Sequence, residues 1–353
     1  MRIALVGLGS RGRFWAETIR RSTDCELIGY VDPDPAALDR AQERFGKRPS
    51  FASLAEALAE LDGVQALVLA TPPETRDPDI AAACAYRLPL LVEKPLALDL
   101  EQASCYVEQT EAAGAPLMVG LNFRYLPVTQ AYLELLDTDA AGQVEFARLT
   151  YERWRDGTLA RLNSYPLKMA QPMLWEQSIH HFDLMRFVYR REPVAVYCRS
   201  WNPSWTMYAD DTNIAALFEF EDNFEVNYQG TWQGGWDDLG FEWRTDGSEG
   251  IITQRDMFGA LFHAKRADTE LTEVDLPPFE RWITDTSGLL AAFVRALRGA
   301  PLECSGRDHL RSLAMVEACI LSAREGRRVE IPPLLERPGT GRNHQTEAER
   351  GKP

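Results

Sequence analysis

The first twelve residues constrain this chain more than any other stretch. Ile3 to Val6 form a short apolar run without polar alternation, the pattern of a parallel strand buried on both faces. Glycines follow at Gly7, Gly9 and Gly12 in G-x-G-x-x-G spacing, and Arg13 to Arg21 carries helical spacing at Phe14, Ala16, Thr18 and Ile19. Strand, glycine turn and helix in this order leave backbone N–H groups and a helix N-terminus open to a pyrophosphate. Ser10 and Arg11 lie within the turn and join the three glycines as cofactor-binding candidates. The pattern also requires a second strand that closes on an acid about twenty residues beyond the last glycine. Leu27 to Val31 ends at Asp32. A carboxylate there accepts hydrogen bonds from ribose hydroxyls and repels a 2′-phosphate, so NAD is expected ahead of NADP. The plainer reading has the glycines serving only left-handed backbone angles and Asp32 only capping the next helix. The acid standing where the motif demands it outweighs that reading.

Further apolar runs at Val64–Ala70, Pro89–Val92 and Pro116–Val119 alternate with helical segments at Pro35–Phe45, Leu54–Leu61, Asp79–Tyr86 and Leu98–Ala113. This is the doubly wound α/β pattern, and it runs out at about Asn122. Beyond it a helix at Val128–Leu136 leads to a strand at Gln143–Arg153, and a second helix spans Leu174–Tyr189. Strands then follow at Ala195–Arg199, Asn213–Phe220, Glu225–Trp232, Phe241–Thr245, Gly250–Thr253, Leu261–Lys265 and Glu270–Leu276, before helices at Gly288–Leu297 and Asp308–Arg324. Strands without crossover helices predict a mostly antiparallel sheet with helices on one face. The expected division is residues 1–122 as a nucleotide-binding domain and 123–336 as an α+β domain for substrate and oligomerisation. Residues 337–353, polar and rich in Gly, Pro and charge, are expected to be a disordered tail.

Net charge excludes one class of partner. At −15 the chain lacks the clustered lysine and arginine that nucleic acid or an anionic membrane surface requires. No apolar run has the length of a membrane span, and the N-terminal one stops at Gly7 and belongs to the first strand rather than to a signal peptide. Cys25, Cys84, Cys105, Cys198, Cys304 and Cys319 form no C-x-x-C pair, as in reduced cytoplasmic proteins.

Ligands of a doubly wound sheet bind beyond the carboxyl ends of its strands. Two loops there carry candidates: Thr71 and Pro72, and Glu93 and Lys94 ahead of Pro95. A lysine before proline is held extended, so its ammonium can be aimed. In the helix LWEQSIHHFDLMRFV, residues Glu176, His180 and Asp183 recur at i, i+4 and i+7, hence on one face, with His181 turned roughly 100° away. Such a stripe suits a polar seam, a metal site or an acid/base assembly. A metal is disfavoured because no further His or Cys cluster completes a ligand set.

Taken together, GLGSRG (Gly7–Gly12), Asp32, ATPP (Ala70–Pro73), EKPLA (Glu93–Ala97), GLNFRY (Gly120–Tyr125) and EQSIHHFD (Glu176–Asp183) resemble the Gfo/Idh/MocA family of glucose-fructose oxidoreductases and inositol dehydrogenases. The resemblance covers Met1 to about Pro332 and implies an N-terminal Rossmann domain. It also implies an active site of Lys94, His180 and Glu176, and a dimer or tetramer through the C-terminal sheet. Hydride removal from a carbinol needs a base, for which His180 suits, and a cation near the alkoxide, for which Lys94 suits, with Glu176 orienting the imidazole. Asn122, Arg124, Trp154 and His181 are candidate substrate contacts, with hinge ties equally open for Asn122 and Arg124, and core or interface packing favoured for the second-half tryptophans. Arg76 where a histidine is common, Glu176 for aspartate and Ser178 for glycine depart from the family pattern. The expected activity is NAD-dependent oxidation of a secondary hydroxyl of a sugar or polyol, or the reverse. A redox glycosidase of the same family type and a non-catalytic dinucleotide sensor are the rivals.

Overall fold

In the computed structural model, which describes residues 1–159, 162–236 and 238–332, the first half alternates strand and helix as its apolar runs require. It contains β1 (Arg2–Val6), α1 (Ser10–Arg21), β2 (Glu26–Val31), α2 (Pro35–Phe45), β3 (Ser50–Phe51), α3 (Leu54–Glu60), β4 (Ala66–Leu69), α4 (Asp77–Tyr86), β5 (Leu90–Val92), α5 (Leu100–Ala113) and β6 (Leu117–Val119). The strands pair in parallel in the order β3-β2-β1-β4-β5-β6. The chain steps from β1 to β2 on one side and returns to β4 on the other. A crevice therefore opens beyond the carboxyl ends of β1 and β4. Local chemistry sets the helix ends: Asp34 caps α2 ahead of Pro35, Asp99 caps α5, and Gly114 ends α5 in the left-handed conformation.

The pattern changes in a 3₁₀ turn, Asn122–Tyr125. After it come α6 (Pro127–Asp137), β7 (Val144–Glu152), α7 (Ile179–Tyr189), β8 (Pro193–Trp201), β9 (Asn213–Phe220), β10 (Glu225–Thr231), β11 (Gly240–Gly247), β12 (Gly250–Asp256), β13 (Gly259–Lys265), β14 (Thr272–Glu273), α8 (Thr284–Leu297), α9 (Gly306–Glu325) and β15 (Val329–Glu330). They build a nine-stranded sheet of order β14-β13-β12-β11-β7-β10-β9-β8-β15, antiparallel except for the β7–β10 pair. Ala147, Leu149 and Tyr151 of β7 and Val226 and Tyr228 of β10 are buried toward α7, whereas Phe146, Tyr197 and Trp201 stand exposed on the other face.

Several expectations shift, and α8 starts at Thr284 rather than Gly288. The strand over Glu270–Leu276 shrinks to Thr272–Glu273, because its charged residues leave little to bury at a sheet edge. The helix from Leu174 opens with a π turn, Leu174–Ser178. β15 is an edge strand too short to register in the sequence. Ser305 caps α9, accepting from the Asp308 N–H, while the Asp308 carboxylate turns to Arg124 and Arg186 instead of closing a capping box, and Gly326 ends that helix. The chain returns to its first half here: Val119 N–H donates to Cys304 C=O, Thr18 and Thr286 share a hydroxyl hydrogen bond of 2.8 Å, and one apolar core runs through both sheets. The expected tail, 337–353, lies outside the described residues.

Candidate active site

The glycine turn has the shape its spacing implies. Gly7 has φ +87°, and a Cβ there would stand 2.8 Å from the Ala70 carbonyl carbon; one at Gly12 would stand 1.9 Å from the Gly7 oxygen. Gly9 differs, since a Cβ there would meet no protein atom within 4 Å. It begins α1 with no side chain capping the helix N-terminus, and Ser10 beside it is exposed. That open, uncapped end is a cradle for phosphate. Asp32 sits against the turn, accepting from Leu8 N–H at 2.7 Å and Asp34 N–H at 2.9 Å. Thr71 and Pro72 border the same crevice after β4. These residues fit a dinucleotide. Arg11 and Glu93 are engaged with each other: Glu93 Oε1 accepts from Arg11 Nε at 3.0 Å, Arg11 Nη2 at 2.7 Å and Trp15 Nε1 at 2.7 Å.

Arg76, the departure noted in the loop after Pro73, is buried and braces the two strand-end loops. It donates to the Thr71 carbonyl from Nε and Nη2, at 3.2 and 2.7 Å, and from Nη1 to the carbonyls of Pro95 and Leu96. Burial pulls its pKa down to about 10, which the nearby Glu93 charge offsets only in part.

Lys94, whose peptide to Pro95 is cis, crosses to the other half of the molecule. Its Nζ donates to the Glu176 carbonyl at 2.8 Å and lies 3.5 Å from Glu176 Oε2. The π turn presents that carbonyl at the start of α7, a deformation that recurs at functional sites. The Tyr165 phenol lies against Glu176 and is raised above its ordinary pKa by burial and by that carboxylate. His180, one turn on, is 7% exposed and stacks on Phe123 with ring centroids 4.0 Å apart. Among the described residues its buried Nδ1 has no hydrogen-bond partner. Burial, then the charge of Lys94, hold this imidazole well below its usual pKa, so it is neutral and able to accept a proton.

The other candidates disperse. His181 is not a substrate contact: it is fully buried on the sheet side of α7, with Nδ1 3.0 Å from the Tyr228 hydroxyl and Nε2 3.1 Å from Gln177 Nε2. Arg124 is a hinge tie, its guanidinium held by Asp183, Asp308 and the Glu303 carbonyl. Asn122 donates to Asp285 and is likewise buried. Trp154 is half-buried, hydrogen-bonded by its backbone to Trp236. Of the other tryptophans weighed, Trp232 is core, while Trp201, Trp205 and Trp236 are exposed. Sequence reasoning missed Phe123 and Trp282, which stack beside His180, and the bracing role of Arg76. Only Arg76 left a signal, as a charged residue where the family pattern differs.

Buried histidines make the fold acid-sensitive. Burial pulls both His181 and His309 down to about 3. Unfolded histidine titrates near 6.5, so below that value the unfolded chain binds protons the folded chain refuses. Their stabilising contribution is complete above about pH 6.5 and is lost as pH falls toward 3, at roughly 1.4 kcal/mol per pH unit for each. Asp79, raised to about 6 by burial, opposes this between about pH 6 and 4. Urea unfolding at pH 7.5 and pH 5.5 is expected to show a marked loss of stability, reduced by about one histidine's share in His181→Gln. Equal stability at both pH values would contradict the assignment.

Comparison with known proteins bears on the family and the fold. Residues 1–121 match a model described as an oxidoreductase family with an NAD-binding Rossmann fold, and residues 129–253 match a GFO/IDH/MocA C-terminal domain. Inositol 2-dehydrogenase of Rhizobium meliloti is 24% identical, covering 94% of this chain and 99% of its own. D-apiose dehydrogenase of Paraburkholderia graminis is 27% identical, over 94% and 90%. The fold superposes with a TM-score of 0.85 on an oxidoreductase from Agrobacterium radiobacter crystallised with NAD+, L-tartaric acid and magnesium, at 21% identity over 94% and 98% of the two chains.

Proposed function

The chain belongs to the GFO/IDH/MocA oxidoreductase family, with its NAD-binding Rossmann domain, and on that premise we propose that it oxidises a secondary hydroxyl of a sugar, polyol or related small molecule, or reduces the matching ketone. The observation that carries this reading is the meeting of Lys94, Glu176 and a neutral His180 at the strand ends next to the glycine turn. NAD, held by the Gly7–Gly12 turn, Asp32 and the Thr71–Pro72 loop, supplies the hydride acceptor when bound. His180 takes the hydroxyl proton as the carbon gives up its hydride. Lys94 stabilises the alkoxide that develops, its ammonium aimed by the Glu176 carbonyl. Glu176 balances the lysine charge and accepts from a neighbouring substrate hydroxyl. Phe123 fixes the imidazole plane by stacking.

The exposed sheet face with Phe146, Val194, Tyr197 and Trp201 supports a homo-oligomer formed there. Six unpaired cysteines support a cytoplasmic location. No helix of the described residues is long and apolar enough to cross a membrane.

The test mixes purified protein and NAD+ with a panel of sugars, polyols, sugar acids and glycosides and follows reduced nicotinamide by absorbance. Net reduction with one compound is the expected result. Glycoside cleavage without net reduction would replace this reading with the redox glycosidase, and cofactor binding without turnover of any kind would replace it with a sensor.

A further inference from the structure

Two arginines near this site have no carboxylate partner among the described residues. In β7 the residues Ala147, Leu149 and Tyr151 are buried toward α7, so Arg153, two positions on, leaves the strand on that same side. Tyr151 packs on His181 with ring centroids 5.1 Å apart, which puts Arg153 beside the N-terminal end of α7, where His180 stands. Arg281 arrives from the opposite direction, ahead of α8. Its Cζ lies 4.2 Å from the Phe258 ring centroid and 5.2 Å from that of Trp282. Trp282 stacks on Phe123 at 6.2 Å, and Phe123 on His180. Trp282 also has φ +66°, a conformation costly for a bulky residue that recurs at ligand sites.

Among the described residues no carboxylate lies within 4.0 Å of either guanidinium. The acids nearest in effect lie beyond that distance: Asp256 accepts from the Phe258 N–H, and Asp285 accepts from Asn122 through Oδ2. Burial, then the like charge of Arg153, holds Arg281 below its ordinary pKa. A shortage of acids is not the cause, since the chain carries 53 acidic against 38 basic residues. Two like charges converging on one cleft are unfavourable until an anion joins them. Contact with the Phe258 and Trp282 rings holds the Arg281 guanidinium, and among the described residues no hydrogen bond engages its N–H groups, which suits a bidentate oxyanion.

We propose that the substrate is a sugar or polyol carrying an oxyanion, a carboxylate or a phosphate, held between Arg153 and Arg281 while its reacting hydroxyl faces His180 and Lys94. This rests on the dehydrogenase reading of the same site.

The test pairs turnover with binding in the NAD-loaded protein, using D-gluconate, D-galacturonate, glucose 6-phosphate and uncharged myo-inositol as probes. Tryptophan fluorescence and calorimetry read binding without requiring reaction. At least one anionic probe is expected to bind tenfold or more tighter than myo-inositol, with affinity falling as salt rises. Preference for the acids identifies a carboxylate site, and preference for the phosphate ester a phosphate site. R153Q and R281Q are expected to weaken that probe tenfold or more, chiefly in KM where turnover is seen, and R281K, which keeps charge but not the fork, to fall between. Anion binding lost in R281Q but without turnover would keep this site and overturn the dehydrogenase. Turnover of myo-inositol with no preference for any anion, unaltered in R153Q and R281Q, would overturn the anion site and keep the dehydrogenase. No binding of any anionic probe would also overturn it.

Discussion

Replacing His180 with alanine is expected to lower the single-turnover rate of nicotinamide reduction by about 10²- to 10⁴-fold, the range that a positioned general base contributes. His180 cannot be replaced by a neighbour. His181 is locked to Tyr228 and Gln177 on the far side of the helix, and Glu176 is held at the Lys94 ammonium. Lys94→Ala is expected to cost a similar factor by a different route, since it removes the cation near the developing alkoxide. The two residues serve one proton transfer, so the double variant should fall little below the worse single one. NAD+ binding, measured by quenching of tryptophan fluorescence, should survive His180→Ala, because the glycine turn and Asp32 contain neither residue. A His180→Ala protein within threefold of the parent rate would remove this histidine from the proposed chemistry.

Asp183→Ala is expected to destabilise the fold by about 3–5 kcal/mol, the cost of stripping one partner from a buried charge network. Asp183 is 2% exposed and accepts from Arg124 Nε at 2.7 Å, Arg124 Nη2 at 2.5 Å and the Ser312 hydroxyl at 3.1 Å. Arg186 joins the cluster through Ser312, Glu192 and Asp308. Burial alone would raise Asp308, yet Arg124 and Arg186 hold it well below the usual carboxylate range. The network ties together the Asn122–Tyr125 turn, α7 and the start of α9. Its loss should therefore also disturb Phe123, which sets the plane of His180. Chemical denaturation of the parent, Asp183→Ala, Arg124→Met, Asp183→Leu and the Arg124→Met/Asp183→Leu double variant separates the two contributions. The double variant should lose less than the sum of the single changes, because it leaves no stranded charge at that position. Additive losses would mean that the pair acts as two independent packing groups.

The first half of the fold was legible because its strands are buried on both faces. β1, β4 and β5 read as continuous apolar runs, and Pro35 with Gly46 bounded α2 to the residue. In the second half the strands alternate and edges are short, so the order β11-β7-β10-β9 with its one parallel pair could not be read from periodicity. A helical period also predicted a common face for Glu176, His180 and Asp183. The period did not show the π turn, through which the Glu176 carbonyl meets Lys94, or the hold of Arg124, which ties Asp183 into the α9 network.

The sequence by itself determined the glycine turn and the acid that follows it, because each depends on local backbone chemistry or on spacing within a single element, while Lys94, Glu176 and His180 were candidates that the family resemblance singled out. Only the tertiary structure decided that the Lys94 ammonium reaches the Glu176 carbonyl. It also decided that Arg124 and Asn122 are spent on packing, that Arg76 staples two loops, and that Arg153 and Arg281 converge. Those outcomes depend on distances between residues tens to hundreds of positions apart, and these are set by how the two sheets pack through one core rather than by any pattern along the chain.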